Sequence, residues 1–240
     1  MKNISQLKVG KIVAINFRTS KVLTAHNIDF CCKGGVTLEE ACKERNLSLD
    51  QIIAELEESF KTPDAFDYEH LDLKELIDII VNNHHKYVEN TVPALRTYLN
   101  KLSEVHGGNH PELLEIREMF DSSAEALVVH MRKEETIVFP YIKAMVEAKE
   151  RDFPLSEPYF GHLNNPLQLM EEDHDLEGER FREIARLSGN YECPEDGCQT
   201  YSVAYALLKE FEEDLHKHIH LENNILFAKA RALYSEIIPN

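Results

Sequence analysis

Residues 130–139 (HMRKEETIVF) and 218–227 (HIHLENNILF) share the pattern H-x-x-x-E-x-x-I-x-F, offset by 88 residues. On a helix, His and Glu at i and i+4 lie on one face, and the Ile and Phe that follow flank the same region. One such pair on a surface is common and individually weak. Two copies with matching apolar neighbours point inward instead. Two imidazoles and two carboxylates buried without a partner ion would carry a large desolvation cost.

Two further histidines complete the count. His84 follows Ile77, Ile80 and Val81, and His174 follows Leu167 and Met170. From the first half to the second, His84/His174, His130/His218 and Glu134/Glu222 are offset by 90, 88 and 88 residues. Each half therefore supplies one His and one His-x-x-x-Glu, a pseudo-twofold arrangement. Two His for each of two metals, with Glu134 and Glu222 bridging and a water, hydroxide or oxo group between, is the expected centre. Nitrogen and oxygen ligation without thiolate suits iron, with manganese and zinc as alternatives. His85 beside His84, and the His216/His220 pair, compete for these positions. The apolar stripe favours His84 and the repeat favours His218. His26, His70, His106, His110 and His162 read as surface or loop residues.

Long helices must carry these side chains. Leu73, Leu76, Ile77, Ile80 and Val81 show the i, i+3, i+4 stripe of an amphipathic helix. Helices are expected over about 71–104, 111–149, 164–188 and 198–234, with Gly107-Gly108 and Gly189-Asn190 at two of the breaks. Carboxylate-bridged metal pairs sit in the cores of such bundles. The fold expected for residues 71–240 is an up-and-down four-helix bundle. Residues 1–60 form a second, small helical unit. Val9, Ile12, Val13, Phe17, Val22 and Leu23 recur at roughly helical spacing, and capping boxes at Thr37–Glu40 and Ser48–Gln51 start short helices at about 37–45 and 48–59. Residues 61–70 (KTPDAFDYEH) read as the linker.

The small unit carries the second chemical feature, Asp29-Phe30-Cys31-Cys32-Lys33-Gly34-Gly35. Adjacent cysteines can close a strained disulfide, act as a thiol pair toward metal, nitric oxide or another disulfide, or stay as two partly buried thiols. Cys42 reads as a core residue. Cys193 and Cys198 lie in a CPEDGC loop, where they could pair, but two thiols do not make a zinc site.

Composition narrows the partners. The 240 residues carry a formal net charge of −17 with no offsetting Lys/Arg cluster, so nucleic acid is not an expected partner. No apolar run approaches the length of a membrane span, and Met1 to Gly10 is polar with no apolar stretch after it. Five cysteines are an odd count for a secreted disulfide framework. A cytoplasmic protein without membrane association is expected.

With these motifs in hand, the sequence resembles the iron–sulfur cluster repair di-iron proteins, also called the repair-of-iron-centres family. The stretch from Val9 to Leu38, with Asn16-Phe17-Arg18-Thr19 and the Cys31-Cys32 pair, is similar to that family's short N-terminal domain, although Lys33 separates the cysteines from Gly34-Gly35. Residues 71–240 resemble its hemerythrin-like domain through His130-Met131-x-Lys133-Glu134-Glu135, Asp173-His174-Asp175 and His218-Ile219-x-Leu221-Glu222-Asn223-Asn224. The resemblance implies an all-α, hemerythrin-like bundle with a small helical N-terminal domain, and the ligand set His84, His130, Glu134, His174, His218 and Glu222. It implies two iron ions, oxo- or hydroxo- and carboxylate-bridged, in a homodimer that repairs iron–sulfur proteins damaged by oxidative or nitrosative stress. Cys31 and Cys32 would then serve redox or transfer chemistry. Reversible binding of dioxygen or nitric oxide, and reduction of nitric oxide, are the competing readings of the same centre.

Overall fold

Periodicity becomes helix almost everywhere. The computed structural model describes residues 4–62, 66–155 and 158–238, so Pro63 in the expected linker lies outside the described residues. The helices are α1 (Val9–Ile15), α2 (Thr19–Ala25), α3 (Leu38–Glu44), α4 (Leu49–Phe60), α5 (Leu73–Ile79), α6 (Lys86–His106), α7 (Glu112–Lys133), α8 (Phe139–Arg151), α9 (Asn164–Leu187), α10 (Gln199–His220) and α11 (Phe227–Ile237). Three π-helical segments, Ile80–His85, Glu134–Val138 and Leu221–Leu226, join α5 to α6, α7 to α8 and α10 to α11. The long runs are thus 73–106, 112–151, 164–187 and 199–237, close to expectation. The fold is all-α; among the described residues, strand geometry is limited to the isolated Lys8–Thr37 bridge.

By backbone proximity the chain divides into two compact units, Ile77–His218 and Met1–Leu76 with Ile219–Asn240. The division falls between His218 and Ile219 of α10.

The larger unit packs its helices around aromatic rings. The Phe211 ring of α10 meets Phe120 of α7 edge-on at 5.5 Å, stacks on Phe181 of α9 at 5.6 Å, and lies 6.1 Å from Tyr87 of α6. One side chain thereby ties four helices together. Leu95, Leu99, Ile116, Ala204 and Leu208 bury the remaining apolar stripes. Charged residues line the outside, as in the Arg96–Asp121 pair at 2.8 Å.

In the smaller unit, Val9, Ile12, Val13, Leu23, Leu38, Ile52 and Leu56 form the core. Thr37 caps α3 as a complete capping box with Glu40, and Ser48 caps α4 by accepting from the Gln51 amide. The double-cysteine loop docks on the C-terminal segment of the same unit. Asn224 Nδ2 donates to the carbonyls of Phe30 (3.2 Å) and Cys31 (3.1 Å), and Asn223 Nδ2 donates to that of Cys31 (3.4 Å). Gly10 and Gly34 make this approach possible, because a Cβ on either would lie 2.1 or 2.4 Å from Asn224 Oδ1.

Candidate metal centre

Each π-helical segment carries residues singled out from the sequence: His84 and His85 in the first, Glu134 in the second, Glu222 in the third. Such segments are frequent at functional sites because they let a helix present side chains that regular geometry would turn away. His130, Glu134, His174, His218 and Glu222 are all buried, and both glutamates are fully excluded from solvent.

Within the larger unit the side chains converge. Glu134 Oε2 lies 3.4 Å from His130 Nε2 and 3.4 Å from His85 Nε2. His174 Nε2 and His130 Nε2 are 2.9 Å apart, and the His85 and His218 rings lie 5.0 Å apart. Ligand atoms of His130, Glu134 and His174 fall within 4.8 Å of one another, and so do those of His85, Glu134 and His218. Glu134 belongs to both sets. Glu222 stands four residues after His218 on the same helical run, as Glu134 does after His130.

The structure places His84 differently from the expectation. His84 is buried, but its Nδ1 faces Asp214 Oδ1 at 2.9 Å and its ring stacks on His218 at 5.5 Å with planes 10° apart. The next residue, His85, joins the Glu134 set. The reason is local. A regular helix extrapolated from Ile77, Ile80 and Val81 brings residue 84 onto the inner face. The wide turn at Ile80–His85 spends extra residues per turn and brings residue 85 there instead.

A second ring of carboxylates fixes the imidazoles. Glu135 Oε1 lies 2.7 Å from His85 Nδ1, and Asp173 Oδ2 lies 3.3 Å from His130 Nδ1. A carboxylate accepting from Nδ1–H leaves Nε2 as the basic nitrogen, turned toward the centre, which is the tautomer a metal ligand needs. The His130 hydrogen bond, joined by Lys133 at 3.2 Å, holds the Asp173 carboxyl below its ordinary range, so it stays anionic for this role. Farther along α9, buried Glu177 accepts from Ser123 and pairs with Arg180; burial raises its pKa despite both partners. Sequence spacing pointed to neither Glu135 nor Asp214 as an imidazole partner, because their roles depend on which helices meet.

The donors suit a hard-to-borderline cation: imidazole nitrogens and carboxylate oxygens, no sulfur, closed to water, with the Glu134 carboxylate shared between two clusters. That is a nitrogen/oxygen donor set, fit to hold a metal, built into a helical bundle.

In the smaller unit, Cys31 is buried and Cys32 partly so, and their sulfurs are in contact at 3.7 Å. Asp29 Oδ1 accepts from the backbone amides of Cys31 (3.1 Å), Cys32 (2.9 Å) and Lys33 (3.3 Å), which fixes the loop. The hydrogen bond to Cys32, reinforced by burial, pushes the Cys31 thiol well above its ordinary pKa. A cavity of about 280 Å³ opens beside Cys32, between Asp29, Lys33 and Arg45.

A bundle with this donor set defines a class, the hemerythrin HHE cation-binding domain, whose family model matches residues 76–230. A domain family of unknown function, DUF542, matches residues 5–59. The iron–sulfur cluster repair protein YtfE of Yersinia pseudotuberculosis is 31% identical over 89% of this chain and 91% of its own length. The iron–sulfur cluster repair protein ScdA of Staphylococcus haemolyticus is 27% identical over 92% of this chain and 96% of its own. A probable iron–sulfur cluster repair protein of Haemophilus influenzae is 29% identical over 95% and 97%. The chain belongs to the family of iron–sulfur cluster repair proteins that join these two domains.

Proposed function

We propose that this protein restores damaged iron–sulfur clusters in other proteins, using two iron ions bound by His85, His130, Glu134, His174, His218 and Glu222. The observation that carries the reading is Glu134, a fully buried carboxylate shared by two histidine clusters. A carboxylate in that position bridges two cations more readily than it serves one. Glu222 is the second bridge, on the strength of its burial and of the repeated His-x-x-x-Glu spacing. The working division is residues 1–60, a linker at 61–70 and a metal-binding bundle over 71–240, and the family model running through residue 219 supports treating the last as one domain.

When bound, the iron pair supplies a redox-active and releasable source of iron. The chain's own groups hold and protect it. Glu135 and Asp173 set the tautomers of His85 and His130, and burial keeps water from the inner nitrogens. Cys31 and Cys32 act as the redox or transfer element. Asp29 presents Cys32 beside an open cavity, while Cys31 is kept protonated beneath it. Oxidative and nitrosative stress, cytoplasmic location and homodimer formation belong to the same reading. Among the described residues no helix is long and apolar enough to cross a membrane.

The test is metal content per chain after anaerobic purification, with the visible spectrum recorded after air exposure. About two irons with oxo-bridge absorption are expected for a site of this kind; a single zinc, or no metal, would overturn the reading. In a reactivation assay on a cluster enzyme damaged by peroxide or nitric oxide, Cys31→Ser/Cys32→Ser should keep its iron and restore less activity. Undiminished restoration would remove the cysteine pair from the mechanism.

A further inference from the structure

The second cysteine pair has geometry of its own, remote in sequence from every residue assigned so far. Cys198 is exposed and directly precedes α10, a helix of 22 residues. Its sulfur lies 3.3 Å from Nε2 of His106, the last residue of α6. The His106 ring packs edge-on against Tyr201 at 5.5 Å, which fixes its approach. A cavity of about 280 Å³ opens beside the sulfur, walled by Leu102, Val105, His106, Gln199 and Thr200. The hydrogen bond from His106, followed by the Tyr201 amide at the helix start, lowers the thiol to about 7. An imidazole and a helix N-terminus are the surroundings that make a thiolate available at neutral pH.

Cys193 is held within reach. A turn closed by the Gly197 amide donating to the Pro194 carbonyl, at 2.9 Å, folds the CPEDGC loop back on itself. The Cys193 sulfur rests against Gly197, where a Cβ would lie 2.4 Å from it. The second thiol therefore packs on the residue immediately before Cys198. His110 is engaged by Asp196 at 2.9 Å and Glu112 at 3.1 Å, and Lys101 lines the cavity, so the titratable groups around this end are Lys101, His106, His110, Asp196 and Glu112.

We propose that Cys198 and Cys193 form a thiol–disulfide exchange site for low-molecular-weight disulfides, with Cys198 attacking and Cys193 resolving. The Cys198 thiolate attacks one sulfur of the external disulfide, forms a mixed disulfide and expels one thiolate. Cys193 then attacks the Cys198 sulfur, expels the second thiol and closes the Cys193–Cys198 disulfide, its proton passing to the leaving thiolate. The protein loses two electrons, and the external disulfide is reduced to two thiols. The cavity beside Cys198 receives the substituent of the mixed disulfide before resolution. This chemistry needs no iron and stands apart from the Cys31/Cys32 role.

The test treats the reduced full-length protein with oxidised glutathione at pH 7 and maps the modified peptides by mass spectrometry. The wild type is expected to accumulate the Cys193–Cys198 disulfide. Cys193→Ser is expected to stop at a glutathione adduct on Cys198, and Cys198→Ser to leave Cys193 unmodified over the same interval. His106→Ala should move the pH midpoint of Cys198 alkylation from about 7 toward the ordinary thiol value of about 8.5, and slow the exchange roughly threefold at pH 7. Equal reactivity of Cys193 and Cys198, or a Cys198 rate unchanged in urea, would overturn the proposal. So would a Cys193→Ser variant that gains no adduct.

Discussion

His84 and His85 offer the sharpest test of the proposed centre, because neighbouring buried histidines should behave oppositely when removed. His85→Ala takes away an imidazole whose Nε2 faces Glu134 Oε2 at 3.4 Å. Loss of an outer partner of a metal ligand costs about 10–100-fold in affinity, and loss of a ligand itself should cost at least the upper end, about 2.8 kcal/mol at 1.4 kcal/mol per decade. After dialysis against a chelator, iron content should fall from about two per chain toward one. His84→Ala removes a ring stacked on His218 at 5.5 Å and a hydrogen bond to Asp214 at 2.9 Å. The stacked pair is worth about 0.5–1.5 kcal/mol and the hydrogen bond about 1 kcal/mol. Asp214 keeps 23% side-chain exposure, so water can replace the lost partner. A loss of about 2 kcal/mol lowers Tm by roughly 4–8 °C in a chain of this size. The expected pattern is a less stable His84→Ala that still binds its iron, and a His85→Ala that keeps only about half of it. Metal analysis and thermal melts of both metal-free variants decide it. If His84→Ala halves the iron while His85→Ala retains it, the argument from the π-helical turn fails.

Three other perturbations test separate parts of the structure. Glu134→Leu should lose most bound iron, since both histidine clusters share that carboxylate; a variant with full metal content would show that it does not bridge. Gly34→Ala places a Cβ 2.4 Å from Asn224 Oδ1 and 2.5 Å from the Phe30 carbonyl, whereas Gly35→Ala meets nothing within 4 Å. Urea unfolding should show the first destabilised by about 1–3 kcal/mol and the second close to wild type, and equal stabilities would contradict the packing of the cysteine loop. Burial pushes the Glu212 carboxyl from 4.5 up to about 7. The folded state therefore holds that proton longer than the unfolded chain. Its burial carries no ionisation penalty below pH 4.5, stability falls as pH rises from 4.5 to 7, and the full penalty persists above that. Glu212→Gln should remove on the order of 2–3 kcal/mol of this decline between pH 4.5 and 8, and parallel stability profiles for the two proteins would refute it.

The two buried His–Glu pairs were legible because their signals are local in sequence. The His-x-x-x-Glu repeat needs only helical periodicity to put His130 with Glu134 and His218 with Glu222, and all four are buried. The capping box at Thr37 and the Gly189-Asn190 stop work for the same reason, since each depends on residues within one turn. The partners of the imidazoles were not legible. Glu135 reaches His85 across 50 residues of chain and Asp173 reaches His130 across 43, and nothing in either segment alone sets those meetings.

The different placement of His84 has another origin, and it shows what periodicity cannot see. Counting by 3.6 residues assumes that the turn is constant. Over Ile80–His85 the chain takes a wider turn, and every face assignment downstream is carried forward by about one residue. No single residue in IVNNHH forces that turn. A wide turn forfeits regular hydrogen bonding, so it survives only where something repays the loss. Here the return is position: His85 reaches Glu134 while His84 remains to brace His218. Two other wide turns carry Glu134 and Glu222. Helical distortion and proposed ligand coincide three times, which is what is expected if metal binding, rather than helix propensity, selects the backbone at these places.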